Sequence, residues 1–205
     1  KQGKGLVPAP GEPPGDTDRQ AVELRLDSPY ELSQEFFRWE FAVAVAGAFL
    51  EINPFDQPNV QEAKDRTSAI LSSGIEPELE PSGSLDELLA AAGSGDYIAV
   101  LGFIDPTPEN DAKLAALAKR AGEATGCVVT RGFGPRYLHS TGQLHKGGKA
   151  NGLFVQVVDD LGEELAIPGR DFGFRRLIGA QAAGDFAALK EHGRPAIRIR
   201  LEEEL

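Results

Sequence analysis

From Asp96 onward the sequence alternates between short apolar runs and helical patterns, and no other feature constrains the fold as tightly. Residues 97–104 read as an apolar strand. Thr107-Pro108 opens a helix in which Leu114, Leu117, Ala118 and Ala121 recur at helical spacing, with Glu109 one turn from Lys113 and Gly122 ending the regular part. Residues 127–130 and 153–158 read as two more strands, 172–190 as a helix and 196–201 as a last strand. Strands separated by helices need crossover connections. The expected class is therefore α/β, a mainly parallel sheet sandwiched by helices.

The first part of the chain is different. Residues 1–19 are a proline- and glycine-rich lead-in, with 4–7 ending a strand and 21–26 a short strand candidate. Residues 32–50 read as a helix capped by Ser33. After Glu40 it is apolar on every side, which predicts burial on several sides. Its longest apolar run, 41–50, is well short of the ~20 residues that cross a bilayer, so no membrane partner is expected. Pro58 suits the first position of a helix reaching about Ser72. Residues 73–84 read as a linker and 85–92 as a short helix, giving a division at 1–72, 73–94 and 95–205.

Composition enters as exclusion. The 205 residues are 41% hydrophobic and 26% charged, which rules out collagen-like, coiled-coil and wholly disordered chains. Acids outnumber bases 32 to 21, a formal charge of −11, so nucleic acid is not an expected partner. Cys127 is the single cysteine and cannot form an internal disulfide, and a cytoplasmic setting is expected. Three histidines and one cysteine show no tight metal-ligand spacing, and His192 at a helix end complements the dipole. No metal is expected. A chain that starts at Lys1 and has no methionine reads as a fragment or a trimmed chain.

Two constellations could carry chemistry. Between Glu123 and Asp159 there is no carboxylate, although the stretch holds Arg131, Arg136, Lys146, Lys149, His139, His145, Ser140, Thr141 and many glycines. It follows a strand, where open α/β sheets place ligands, and its cations and hydroxyls suit phosphate. Either histidine can serve as acid or base near neutral pH, or simply as a hydrogen-bonded loop residue. The second constellation is Asn53-Pro54-Phe55-Asp56-Gln57-Pro58-Asn59-Val60 followed by Lys64. On the helix from Pro58, Val60, Lys64, Thr67 and Leu71 share one face. A lysine on that apolar stripe snorkels, pairs, or faces a ligand cleft.

The segment Asn-Pro-Phe-Asp-Gln-Pro-Asn-Val-Gln-Glu-Ala-Lys closely resembles the signature of glucose-6-phosphate isomerases. The flanking Phe-Phe-Arg-Trp-Glu-Phe-Ala-Val-Ala-Val-Ala-Gly and Gly-Phe-Gly-Pro-Arg-Tyr-Leu-His-Ser-Thr-Gly-Gln-Leu-His-Lys-Gly-Gly look like the C-terminal part of bifunctional transaldolase/glucose-6-phosphate isomerases. The resemblance implies a sugar-isomerase fold and a cofactor-free interconversion of glucose 6-phosphate and fructose 6-phosphate through an ene-diolate. It assigns the active-site lysine to Lys64 and the ring-opening histidine to His145, with His139 as the rival. Arg136, Ser140, Thr141, Gln143 and Lys146 become substrate-binding candidates. The expected partners are a sugar phosphate and the upstream isomerase and transaldolase parts, with a homo-oligomer left open. No residue here matches the family's glutamate base, so the chain reads as carrying part of an active site.

Overall fold

The structure, a computed structural model, describes residues 26–201. The strand expected at 4–7, and all but the last residue of the one at 21–26, lie outside the described residues; Leu26 itself is not in a strand. The chain divides into two compact units, Lys1–Asp56 and Gln57–Leu205. That division falls one helix before residue 72, because the helix starting at Pro58 packs within the second unit.

In the first unit, α1 spans Pro29–Leu50. It starts a turn before Ser33. Ser28 is extended and Pro29 takes the first helical position, where its missing N–H is not needed. Glu51 ends the helix in the left-handed region (φ 56°), its N–H reaching the Ala48 and Gly47 carbonyls. The expected burial is not found. Phe36, Phe37, Trp39, Phe41, Phe49 and Leu50 are exposed, and Gly47, with Pro54 folded back against it, is the buried position. Periodicity reveals which faces of a helix are apolar; it does not supply the surface that covers them.

The second unit holds α2 (Pro58–Ser72), α3 (Leu85–Ala90), β1 (Tyr97–Phe103), α4 (Pro108–Thr125), β2 (Val128–Phe133), α5 (Gly142–Gly147), β3 (Gly152–Val158), α6 (Phe174–Glu191) and β4 (Ala196–Arg200). A 3-10 helix, Arg136–His139, lies between β2 and α5. The four strands form an all-parallel sheet in the order β2-β1-β3-β4. The chain steps outward from β1 to β2 and returns on the far side of β1 to form β3, so the topology switches direction about β1.

Side chains alternate between two cores, as strands buried on both faces require. Ile98, Val100, Val155, Val157 and Ile199 meet α3 and α4 through Leu85, Leu88, Leu114 and Leu117. Ala99, Leu101, Phe103 and Phe154 meet Tyr137 and, on α6, Ala182 and Leu189. The α/β class with a helix-flanked parallel sheet is thus as the sequence grammar requires. α2 forms a further layer against α6 and α5.

Two boundaries move. α4 runs past Gly122 to Thr125, and Gly126 (φ 70°) supplies the left-handed cap. β2 extends to Phe133, into what the composition presents as loop, because its partner β1 continues to Gly102 opposite it.

Candidate functional site

α2 turns Val60 and Ala63 inward, which leaves Lys64, Thr67 and Leu71 along the edge of a groove of about 710 Å³. Small-molecule sites commonly enclose ~300–1,000 Å³. The opposite wall is built by segments that follow strands: Pro135, Leu138 and His139 after β2, and Ile167, Arg170 and Phe172 after β3. Leu177 and Gln181 of α6 form the floor. In open parallel sheets ligands bind beyond the carboxyl ends of the strands, beside a change of strand direction, and β2 and β3 flank β1 where that change occurs.

The groove carries one sign of charge. Its charges are those of Lys64 and Arg170, with the His139 imidazole beside them, and no carboxylate lines it among the described residues. All three are exposed, and among the described residues none of their side chains has a hydrogen bond or ion pair. A cleft with cations, the Ser68 hydroxyl and apolar walls suits a phosphorylated ligand of modest size.

The other sequence-selected residues lie elsewhere. The 3-10 helix is a partition: Leu138 and His139 face the groove, while Arg136 and Tyr137 border a second cavity of about 290 Å³. Ser140, Thr141 and His145 line that smaller cavity too. The hydroxyls of Ser140 and Thr141 both donate to the Tyr137 carbonyl, at 3.1 and 3.2 Å.

His145 is 3% exposed, with Nδ1 3.0 Å from the Tyr97 hydroxyl and its ring packed against Tyr97, Tyr137 and Phe154. Burial, reinforced by the Lys146 charge and opposed by Asp185, lowers its pKa from 6.5 to about 4. It is a neutral imidazole at physiological pH. Lys146 is 1% exposed and paired with Asp185, outside both cavities. Gln143 binds Asn59 at the start of α2. The structure therefore brings Lys64 together with His139, and sets His145, Arg136, Ser140 and Thr141 together behind the partition.

The carboxylate-free stretch draws its counter-charges from outside itself. Arg131 pairs with Asp111 of α4, and Lys146 with Asp185 of α6. Sequence reading missed Arg170 and Asp185. Arg170 follows Gly169 in a Pro-Gly turn with φ 77°, a local signal that it projects from a loop. Asp185 is a lone acid between Ala182 and Leu189 on an apolar helix face, and a charge in that setting needs a partner. Among the described residues no group of three or more histidine, cysteine or acidic side chains could hold a metal ion, and no helix is long and apolar enough to cross a membrane.

Fold and groove together define an α/β protein with a cationic cleft at the carboxyl ends of its strands. Compared with known proteins, the chain is 40% identical over 65 residues to the glucose-6-phosphate isomerase of Exiguobacterium sibiricum, a stretch covering 31% of this chain and 14% of that protein. A hypothetical protein of known structure from Thermus thermophilus superposes on 71% of this chain and 39% of its own, at 17% identity and a TM-score of 0.43. No family model matches.

Proposed function

We propose that this chain contributes the lysine and histidine of a phosphosugar isomerase site that interconverts glucose 6-phosphate and fructose 6-phosphate, within a parent of the transaldolase/isomerase type. The observation that carries the reading is that Lys64 and His139, from distant parts of the sequence, line one groove with Arg170. The partial identity to a glucose-6-phosphate isomerase supports the same class of reaction. Arg170 holds the phosphate. His139 passes a proton between the ring oxygen and the C1 hydroxyl, which opens the hexose ring. Lys64 meets the negative charge that develops on the ene-diolate oxygens, and its ammonium offsets that charge in the transition state. The C2 proton must pass to C1 through a carboxylate, which the described groove does not hold.

A second reading, a phosphosugar-binding or buttressing domain without turnover, is favoured by that same lack of a lining carboxylate. Two measurements separate them. Titration with fructose 6-phosphate should move the amide and side-chain signals of Lys64, His139 and Arg170; a response confined to other surfaces defeats both readings. A coupled assay should show turnover in the parent and none in the isolated chain, and a parent that binds without turning over leaves the second reading.

A further inference from the structure

Asp185 is 1% exposed, and among the described residues it is the one fully buried acid. Its surroundings on α6 are Ala182 and Leu189, so an unpartnered carboxylate there would lose its hydration for nothing. It has two partners instead, from two other elements. Lys146 Nζ of α5 donates to Oδ1, and the Tyr137 hydroxyl of the 3-10 helix donates to Oδ2. Burial and the neighbouring Asp185 push the Tyr137 pKa well above 10, so this hydroxyl keeps its proton.

We propose that Asp185 is a positioning residue for His139: it holds Tyr137, and through Tyr137 the 3-10 helix that presents the imidazole to the groove. This rests on the reading of the groove as a phosphosugar site, in which His139 is the acid–base group.

The geometry assigns the role. Arg136–His139 is only four residues long, and so short a 3-10 helix has too few internal hydrogen bonds to fix its own direction. Tyr137 is gripped at both ends. Its carbonyl accepts from the Ser140 and Thr141 amides and hydroxyls, and its ring is wedged edge-on against Phe103 with its hydroxyl on Asp185. His139 follows two residues later, so a rotation at Tyr137 swings the imidazole along the groove wall. Net stability is a poor explanation for the cluster, because a buried ion pair rarely outdoes well-packed apolar groups of the same volume. What a hydrogen-bonded carboxylate supplies, and a leucine would not, is a fixed direction for the tyrosine.

The test uses ring Cε1–H and Cδ2–H signals in the full 205-residue chain, which has only three histidines. His139→Gln assigns the His139 pair. Asp185→Asn and Tyr137→Phe should both move the His139 signals by more than a line width, in the same direction, while those of His192 stay put. The double variant should move them no further than the larger single change. Tyr137→Phe keeps the ring against Phe103 and leaves Lys146 paired with Asp185, so it decides the matter should Asp185→Asn not fold. His139 signals that coincide with wild type in folded Tyr137→Phe overturn the proposal. Fructose 6-phosphate added to the wild-type chain tests the groove separately: silence at Lys64 and His139 refutes the phosphosugar reading, while the coupling to Asp185 is judged from the ligand-free spectra alone.

Discussion

Asn59 and Gln143 bind each other twice. The Asn59 main-chain N–H donates to Gln143 Oε1 at 3.0 Å, and Gln143 Nε2 donates back to Asn59 Oδ1 at 2.7 Å. Asn59 is in the first turn of α2, whose amides have no partner within the helix, and Gln57 gives no side-chain cap. A residue of α5 therefore does the capping and joins the two helices. Gln143→Ala should lower stability by about 1–2 kcal/mol, the range of a lost cap or an orphaned donor. Gln143→Glu keeps the acceptor for the Asn59 N–H and places negative charge at a helix start, but it gives up the donor to Asn59 Oδ1, so it should recover only part of the loss. Urea unfolding of the three chains measures both, and an unchanged midpoint for the alanine variant would show that water replaces the clasp.

Lys64 is exposed and unpartnered among the described residues, so its removal should be nearly invisible to folding. Lys64→Ala should change stability by no more than ~0.5 kcal/mol, as surface substitutions do. In an active parent it should reduce turnover by at least ~10²-fold, the lower end of what one group aimed at developing charge contributes. Lys64→Arg should fail as well, because the planar guanidinium is longer and does not reproduce a compact ammonium. Retention of most activity in Lys64→Ala would return the residue to the surface.

Two groups should shape stability against pH in adjoining windows. Hydrogen bonds from His192 and Arg66 lower Glu62 from 4.5 to about 2. Its folded pKa is depressed, so the stabilisation is complete above 4.5 and fades as pH falls from about 4.5 towards 2. His145 is depressed as well, from 6.5 to about 4. The unfolded chain takes up that proton first, so stability falls as pH drops from about 6.5 to about 4. Thermal melts across pH should then show His145→Phe flattening the upper window and Glu62→Gln the lower. Parallel curves for variant and wild type would remove the corresponding group from the account.

Gly134 lies against Phe103 so closely that an added Cβ would sit 2.5 Å from the ring. Phe103 is fully buried and cannot retreat. Gly134→Ala should lower stability by about 1–3 kcal/mol, as overpacking does. The same substitution in a Phe103→Leu background should cost less, and a double-mutant cycle reads that coupling. Strict additivity would place the strain elsewhere.

The sheet was legible because strands buried on both faces are written as near-continuous apolar runs, here Tyr97 to Phe103 and, broken only by Gln156, Leu153 to Val158. Pro58 and Thr107-Pro108 announced helix starts through chemistry local to a few residues. Other features depend on partners that a linear reading does not show. Gly122 looked like a stop, yet the helix continued to Thr125, and the left-handed residue that ends it is Gly126. α1 has the apolar pattern of a buried helix and keeps its phenylalanines exposed. The candidate residues of the basic stretch fall on both sides of a 3-10 helix that glycine content gave no reason to expect. Lys146 reads as a phosphate ligand by type, and only its contact with Asp185, far along the chain, shows it to be committed elsewhere.

α2 is held in the second unit by its packing on α6 and α5, with the Arg66–Glu191 and His192–Glu62 contacts at its outer margin, and not as a partner of any strand. No strand pairs with α2, so an opening of the layer that carries Lys64 would leave every strand pair intact. Local openings of this kind need less free energy than global unfolding. Amides of α2 should exchange with deuterium before those of β1 and β3, and the lysine half of the groove would come and go on a timescale set by one helix docking.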